Sequence, residues 1–324
     1  MFLFWVCQLT YFLKPIISFT LYVLCILLFV AFFTLYERKV MSAIQLRNGP
    51  DDVGYYGVLQ PITDAVKLVN KEFILPRGSL RFFFLVAPFL ILSFSIFIWA
   101  FIPLNMSGAL FDSEFSIIWV WCLASVASFS LFLSGWSSVS KYSVLGSLRA
   151  VVQLVSYEVV LVLLIIPIIF IYGTFNFSVI FISQWNSGII NYVYTVPISF
   201  LMFICILAET NRSPFDLPEA ESELVSGYNV EYGAIPFAYF FLAEYLNMGT
   251  MSVIFNIVFL SQRFYFFFFA GIFFMMYNII WVRATLPRMR YDVLLEFCWK
   301  YILIFSSWFF FFFIFLYYFV FYLF

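Results

Sequence analysis

Long apolar runs alternate with short polar intervals along the whole chain. Eight runs, at about 16–36, 82–104, 115–134, 148–172, 189–208, 234–260, 264–285 and 299–322, reach the length of a membrane-crossing helix. A bilayer's hydrocarbon core takes about 20 apolar residues. Residues 2–13 are apolar too, set apart by Lys14–Pro15, and Pro15 suits a helix start. Pro88, Pro167 and Pro197 fall inside runs, where neighbouring helices can satisfy the freed carbonyls. No fixed-period repeat and no long linker is visible, so 1–324 reads as a single membrane domain.

The polar intervals sort by charge. Those after the first, third, fifth and seventh runs hold Arg38, Lys39, Arg47, Lys67, Lys71, Arg77, Arg81, Lys141, Arg149, Arg212, Arg283, Arg288, Arg290 and Lys300. Of the 16 Lys and Arg, only Lys14 and Arg263 fall on the other side. Basic loops stay on the cytoplasmic or equivalent side. The N-terminus is therefore expected outside, with 37–81, 135–147, 209–233 and 286–298 as inner, functional loops. Within the first, "VLQPITDAVKLVNKE" spaces Val58, Leu59, Ile62, Val66 and Val69 near helical period. That predicts a short amphipathic helix in the membrane interface. Arg38, Gln45, Arg47 and Asp64 would lie at the bilayer lip, able to receive the head of a lipid-soluble ligand. The pattern alone also fits a plain membrane-surface helix.

Composition fixes the class. With 65% hydrophobic and 10% charged residues and a mean hydropathy of +1.05, the chain cannot hide its apolar surface in water. The predicted fold is an all-α polytopic membrane protein with about eight spans. Histidine is absent, and the five cysteines are dispersed. This predicts no metal site, Fe–S cluster or other redox cofactor bound by the chain. A net charge of −1 argues against nucleic acid. The apolar N-terminus lacks the basic region of a cleaved signal peptide. The 49 phenylalanines suit lipid-facing filler from a biased nucleotide composition, as in an organellar genome.

Acid is concentrated where oil surrounds it. Glu158 sits about ten residues into the fourth run, where a charge costs about 2.5–3.5 kcal/mol to insert. Glu244 poses the same problem in the sixth. Two such acids with no base inside the runs suggest a proton relay more than an ion pair. Between them, "AETNRSPFDLPEAESELVSGYNVEYG" (208–233) carries Glu209, Asp216, Glu219, Glu221, Glu223 and Glu231 against one base, Arg212. Glu219 and Glu223 are four residues apart, on one helical face. The interleaved Phe215, Leu217, Leu224, Val225 and Tyr228 argue for partial burial, although a charge run can also be a solvated loop. No nucleophile or phosphate loop accompanies the acids, so no catalytic residue is expected in this chain.

"ERKVMSAIQLRNGPDDVGYYGVLQPITDAVKLVNKE", "SYEV", the 208–233 stretch, "FFLAEYLNM" and "RATLPRMRYD" occur in this order over roughly 30–300. Together they resemble the subunit 1 family of proton-pumping NADH:quinone oxidoreductase, respiratory complex I. The resemblance implies an eight-helix core joining the hydrophilic and membrane arms in the mitochondrial inner membrane, with the large loops facing the matrix. It implies a ubiquinone chamber and membrane entrance at Arg38, Gln45, Arg47, Asp64 and Lys67. It implies an acidic path coupling quinone reduction to proton translocation, through Glu158, Glu209, Asp216, Glu219, Glu221, Glu223, Glu231 and Glu244. Arg283, Arg288, Arg290 and Asp292 would border the hydrophilic arm. Partners would be other complex I subunits, which hold the NADH, FMN and Fe–S sites, and membrane lipids. Asp51–Asp52 depart from the family, which often has a neutral residue after Gly-Pro. A membrane subunit of an energy-converting hydrogenase is the alternative; a secondary transporter would need an inverted repeat, and none is seen.

Overall fold

A computed structural model describes residues 2–104, 108–187, 189–217, 227–260 and 265–323. Glu219, Glu221 and Glu223 lie outside the described residues. The chain divides into two compact units, 1–66 and 67–324.

In the first unit, α1 (Phe2–Ile44) is one continuous helix. The apolar residues on both sides of Lys14–Pro15 join into a single helix, so the helix begins before the run at about 16. The helix also outlasts the predicted end at 36, so Arg38 and Lys39 ride on its last turns rather than in a loop. It closes through Gln45 N–H to Met41 O (3.1 Å) and Arg47 N–H to Ser42 O (2.9 Å). A 3₁₀ turn, Tyr55–Gly57, follows. Gly57 has φ +71°, and a Cβ there would collide with the Pro50 carbonyl, so glycine is required. The amphipathic segment is α2 (Gln60–Asn70), which buries no residue. Ile62, Val66 and Val69 are all exposed, the unsheltered apolar stripe expected of an interfacial helix.

The second unit holds α3 (Arg81–Ala100), α4 (Ser116–Ser138), α5 (Lys141–Tyr172), α6 (Phe177–Ser187), α7 (Ile189–Glu209), α8 (Ala234–Phe259), α9 (Tyr265–Thr285), α10 (Tyr291–Phe297) and α11 (Leu303–Leu323). A π-helical turn, Cys298–Ile302, joins the last two. Among the described residues of the whole chain, 7 helical segments are long and apolar enough to cross a membrane. Thr195–Glu209, the shorter apolar helix, lies in the fifth of the predicted runs. The chain is an all-helical polytopic membrane protein.

Several boundaries differ from the sequence reading. The predicted loop 135–147 shrinks to the turn between α4 and α5, where Val139 adopts φ +58°. Ser140 caps α5 by accepting from Ser143 N–H. Hydropathy misses this extension because serines continue both helices beyond the apolar runs. The last span likewise starts earlier, at Tyr291, and α6 was not anticipated. Asn176 Oδ1 accepts the Ser178 N–H at the start of α6.

Helix α5 is the hub. It packs on α4, α7 and α11, and α3 packs on α4 and α8. The α4–α5 seam is small and hydroxylic: Ser134, Ser137, Ser143, Gly146 and Ser147 are all buried. Most of these hydroxyls bond carbonyls of their own helix, while Ser143 Oγ reaches across to Gly135 O (3.0 Å). Small residues let helix backbones approach closely in lipid. Facing the seam, Tyr232 stacks on Phe84 at 4.1 Å and donates to Ser134 O (3.2 Å). Burial pushes its phenol above the ordinary value, so it stays a neutral donor.

A Cβ on Gly146 would stand 2.7 Å from Gly227 Cα and 2.9 Å from Tyr228 N, both backbone. Gly146→Ala should therefore cost about 1–3 kcal/mol, read as a lower thermal midpoint of the purified protein. An unchanged midpoint would show that the 227–229 turn yields freely.

Candidate functional site

Two carboxylates meet where α5 packs against the end of α7. Glu158 is half-buried on α5, and Glu209, the last residue of α7, is buried. The two lie within electrostatic reach of one another. Glu158 Oε1 and Glu209 Oε2 are buried oxygens with no hydrogen-bond donor among the described residues. A buried acceptor left bare is costly, so a proton on one of the carboxyls, or a water, satisfies this pair.

Beyond Glu209 the chain turns back into the bundle. Thr210 N–H bonds Ile206 O (2.9 Å), Arg212 N–H bonds Leu207 O (3.3 Å) and Phe215 N–H bonds Arg212 O (2.8 Å). The turn carries Arg212, only 6% exposed, into the interior. Its Nη2 stands 3.9 Å from Glu244 Oε2, and its guanidinium lies 4.9 Å above the Tyr245 ring. Tyr228 donates its hydroxyl to Glu244 Oε1 at 2.6 Å. Glu244 therefore has a base and a hydroxyl donor, which corrects the expectation of an intramembrane acid without a base. The base comes from the loop rather than from a span, so counting charges inside apolar runs missed it.

Between these groups is a cavity of about 40 Å³. Glu209, Thr210, Asn211, Tyr228, Glu244 and Asn247 give it polar walls, and Ile98, Val120, Leu154 and Phe240 apolar ones. A water needs about 10–15 Å³ in such a space, so a short hydrogen-bonded file fits between Glu209 and Glu244.

The segment after α9 closes over the turn. Met289 N–H bonds Pro214 O (3.0 Å), and Arg288 Nη2 meets Asp216 Oδ2 at 3.4 Å. Arg290 pairs with Asp292 at 3.1 Å, both well exposed. In the first unit, Arg38 meets Asp64 at 2.7 Å, while Gln45 and Arg47 are exposed. Lys39 lies 3.6 Å from Asp51, so the extra acid there has a local partner.

A family model described as NADH dehydrogenase matches residues 17–314. The chain is 44% identical over 292 residues to NADH-ubiquinone oxidoreductase chain 1 of Sarcophilus harrisii, covering 88% of this chain and 91% of that one. It is 43% identical to the protein of the same name from Hyaloraphidium curvatum, over 87% of this chain and 92% of that one. The chain 1 protein of Aedes aegypti is also 43% identical, over 89% and 91%. The chain belongs to the NADH-ubiquinone oxidoreductase chain 1 family.

In this member of the chain 1 family, the acids singled out in the sequence are grouped unequally. Glu158 and Glu209 stand on the packed helices α5 and α7, and Glu209 and Glu244 share the cavity. Asp216 turns instead toward Arg288, and Glu231 is half-buried after the 227–229 turn. Lys67 is exposed on α2, and Arg283 lies in the last turn of α9. Arg212, Tyr228 and Asn247 were missed as site residues, as was Glu37, 4% exposed on α1. The usable signal for Arg212 was its solitude: one base among six acids at a membrane surface has to pair with one of the acids nearby.

Tyr228→Phe removes the hydroxyl from Glu244 and keeps the ring's edge-on contact with Phe240. The loss should be about 1–3 kcal/mol, and the same change should cost less when Glu244 is already Gln. Additive effects in a thermal-unfolding double-mutant cycle would show that the bond contributes nothing.

Proposed function

We propose that this chain is the subunit of respiratory complex I that joins the quinone site to the proton-translocating membrane arm. Arg38, Gln45, Arg47, Asp64 and Lys67 line the ubiquinone chamber and its entrance. Glu158, Glu209, Asp216, Glu219, Glu221, Glu223, Glu231 and Glu244 form the acidic path. Arg283, Arg288, Arg290 and Asp292 border the hydrophilic arm, whose subunits hold NADH, FMN and the Fe–S clusters. The chain sits in the mitochondrial inner membrane with its N-terminus toward the intermembrane space and its large loops in the matrix.

The observation that supports this reading is the cavity between Glu209 and Glu244, which sets these acids and a few polar side chains among apolar walls. Carboxyls joined by a few waters pass protons without carrying ions across. Quinone reduction consumes protons and changes charge in the chamber. The carboxyls nearest it respond by repartitioning protons, and Glu158, Glu209 and Glu244 relay the change laterally. The names of the relatives favour this over the hydrogenase-type alternative.

In the assembled complex, Glu209→Gln and Glu244→Gln should each slow NADH:ubiquinone turnover and proton translocation about tenfold or more. NADH oxidation by a hydrophilic artificial acceptor should stay unchanged. Full proton translocation in both variants would refute the path. Arg38→Ala, which strips Asp64 of its partner, should raise the KM for ubiquinone while the artificial-acceptor rate holds.

A further inference from the structure

One buried polar group stands outside the acidic path. Gln153 lies on α5, wholly buried, five residues before Glu158. Its Nε2 donates both hydrogens, to Ala208 O at 2.9 Å and to Phe215 O at 3.0 Å. Those carbonyls immediately precede Glu209 and Asp216. One side chain thus holds both ends of the turn that begins at Glu209, carries Arg212 and leads into Asp216.

An amide suits the place. Both partners are carbonyl oxygens, and one neutral NH2 reaches them together. Leucine or methionine fills the space but breaks the link from α5, leaving Ala208 O with Asn211 N–H (3.3 Å) and Phe215 O with Leu217 N–H (2.9 Å). An ionised carboxylate repels both. Helix α5 then carries two things in fixed register: the Glu158 carboxyl, and the amide that fixes the backbone next to Glu209.

We infer that Gln153 is a positioning residue, whose amide holds the backbone beside Glu209 and so fixes where that carboxyl stands relative to α5, the helix that carries Glu158. The inference rests on the proposed role of those two carboxyls. The charged and titratable groups around the junction are Glu158 and Tyr157 on α5, Cys205 and Glu209 on α7, Arg212 and Asp216 in the turn, Arg288 from the segment after α9, and Cys298 beside Ser156.

The test uses the purified intact complex with Gln153→Leu and Gln153→Glu. Gln153→Leu should lower ubiquinone reduction about tenfold or more at every pH, since small displacements of reacting groups carry large rate penalties. Gln153→Glu should behave differently. Its carboxyl donates one hydrogen when protonated and none when ionised. Turnover should be partly retained at low pH and fall as pH rises, a titration absent from the native profile. Native-like profiles in both variants overturn the inference. So does loss of the assembled complex in both on native gels, which would make Gln153 a folding residue only. Glu158→Gln and Glu209→Gln run alongside: normal turnover there overturns the acidic path and this inference together. Slow turnover there with native-like Gln153 variants overturns the inference alone.

Discussion

A guanidinium inside a membrane protein has to meet a carboxylate, and the architecture around Glu244 depends on that need. Arg212 belongs to the loop after α7, yet it is buried. Bringing it inward folds the chain after Glu209 back rather than along the surface. Gln153 from α5 and Met289 from the segment after α9 add hydrogen bonds to the turn. Glu244 accepts from Tyr228, whose backbone lies against Gly146. Removing one partner from such a cluster strands a charge, which costs more than the pair ever contributed.

The same cluster sets how charge can move. Glu244 is held on two sides, by Arg212 and by Tyr228, so it is an acid with a defined resting environment. At the other end of the cavity, Glu209 Oε2 has no donor among the described residues. The two ends of the cavity therefore differ in kind.

Much of the fold was legible because lipid leaves few options: apolar runs of span length must be helices. Each apolar run falls on a helix among the described residues, although the ends differ at α1, α5 and the last span, and α2 emerged from period alone. What escaped was whatever hydropathy does not encode. Serines extend α4 and α5 past their apolar runs, so the turn at Val139–Ser140 looked like a longer loop. The acids were visible at once, since charge inside oil has no innocuous explanation. Their partners were not, because Arg212 reaches Glu244 across 32 positions and Gln153 reaches Phe215 across 62. Contacts at that separation come from packing, which no local pattern records.

The π-helical turn at Cys298–Ile302 has a consequence for the molecule's tail. Such a turn holds one residue more than the α-helical path needs, and an extra residue rotates the downstream helix by about 100°. Upstream, Leu294 and Cys298 keep their places against Tyr157 and Ser156 of α5. Downstream, the aromatic helix obeys a different angular phase. The turn acts as a mechanical decoupler: the final helix can drift in sequence, even toward runs of phenylalanine, without twisting the segment that locks the acidic turn in place.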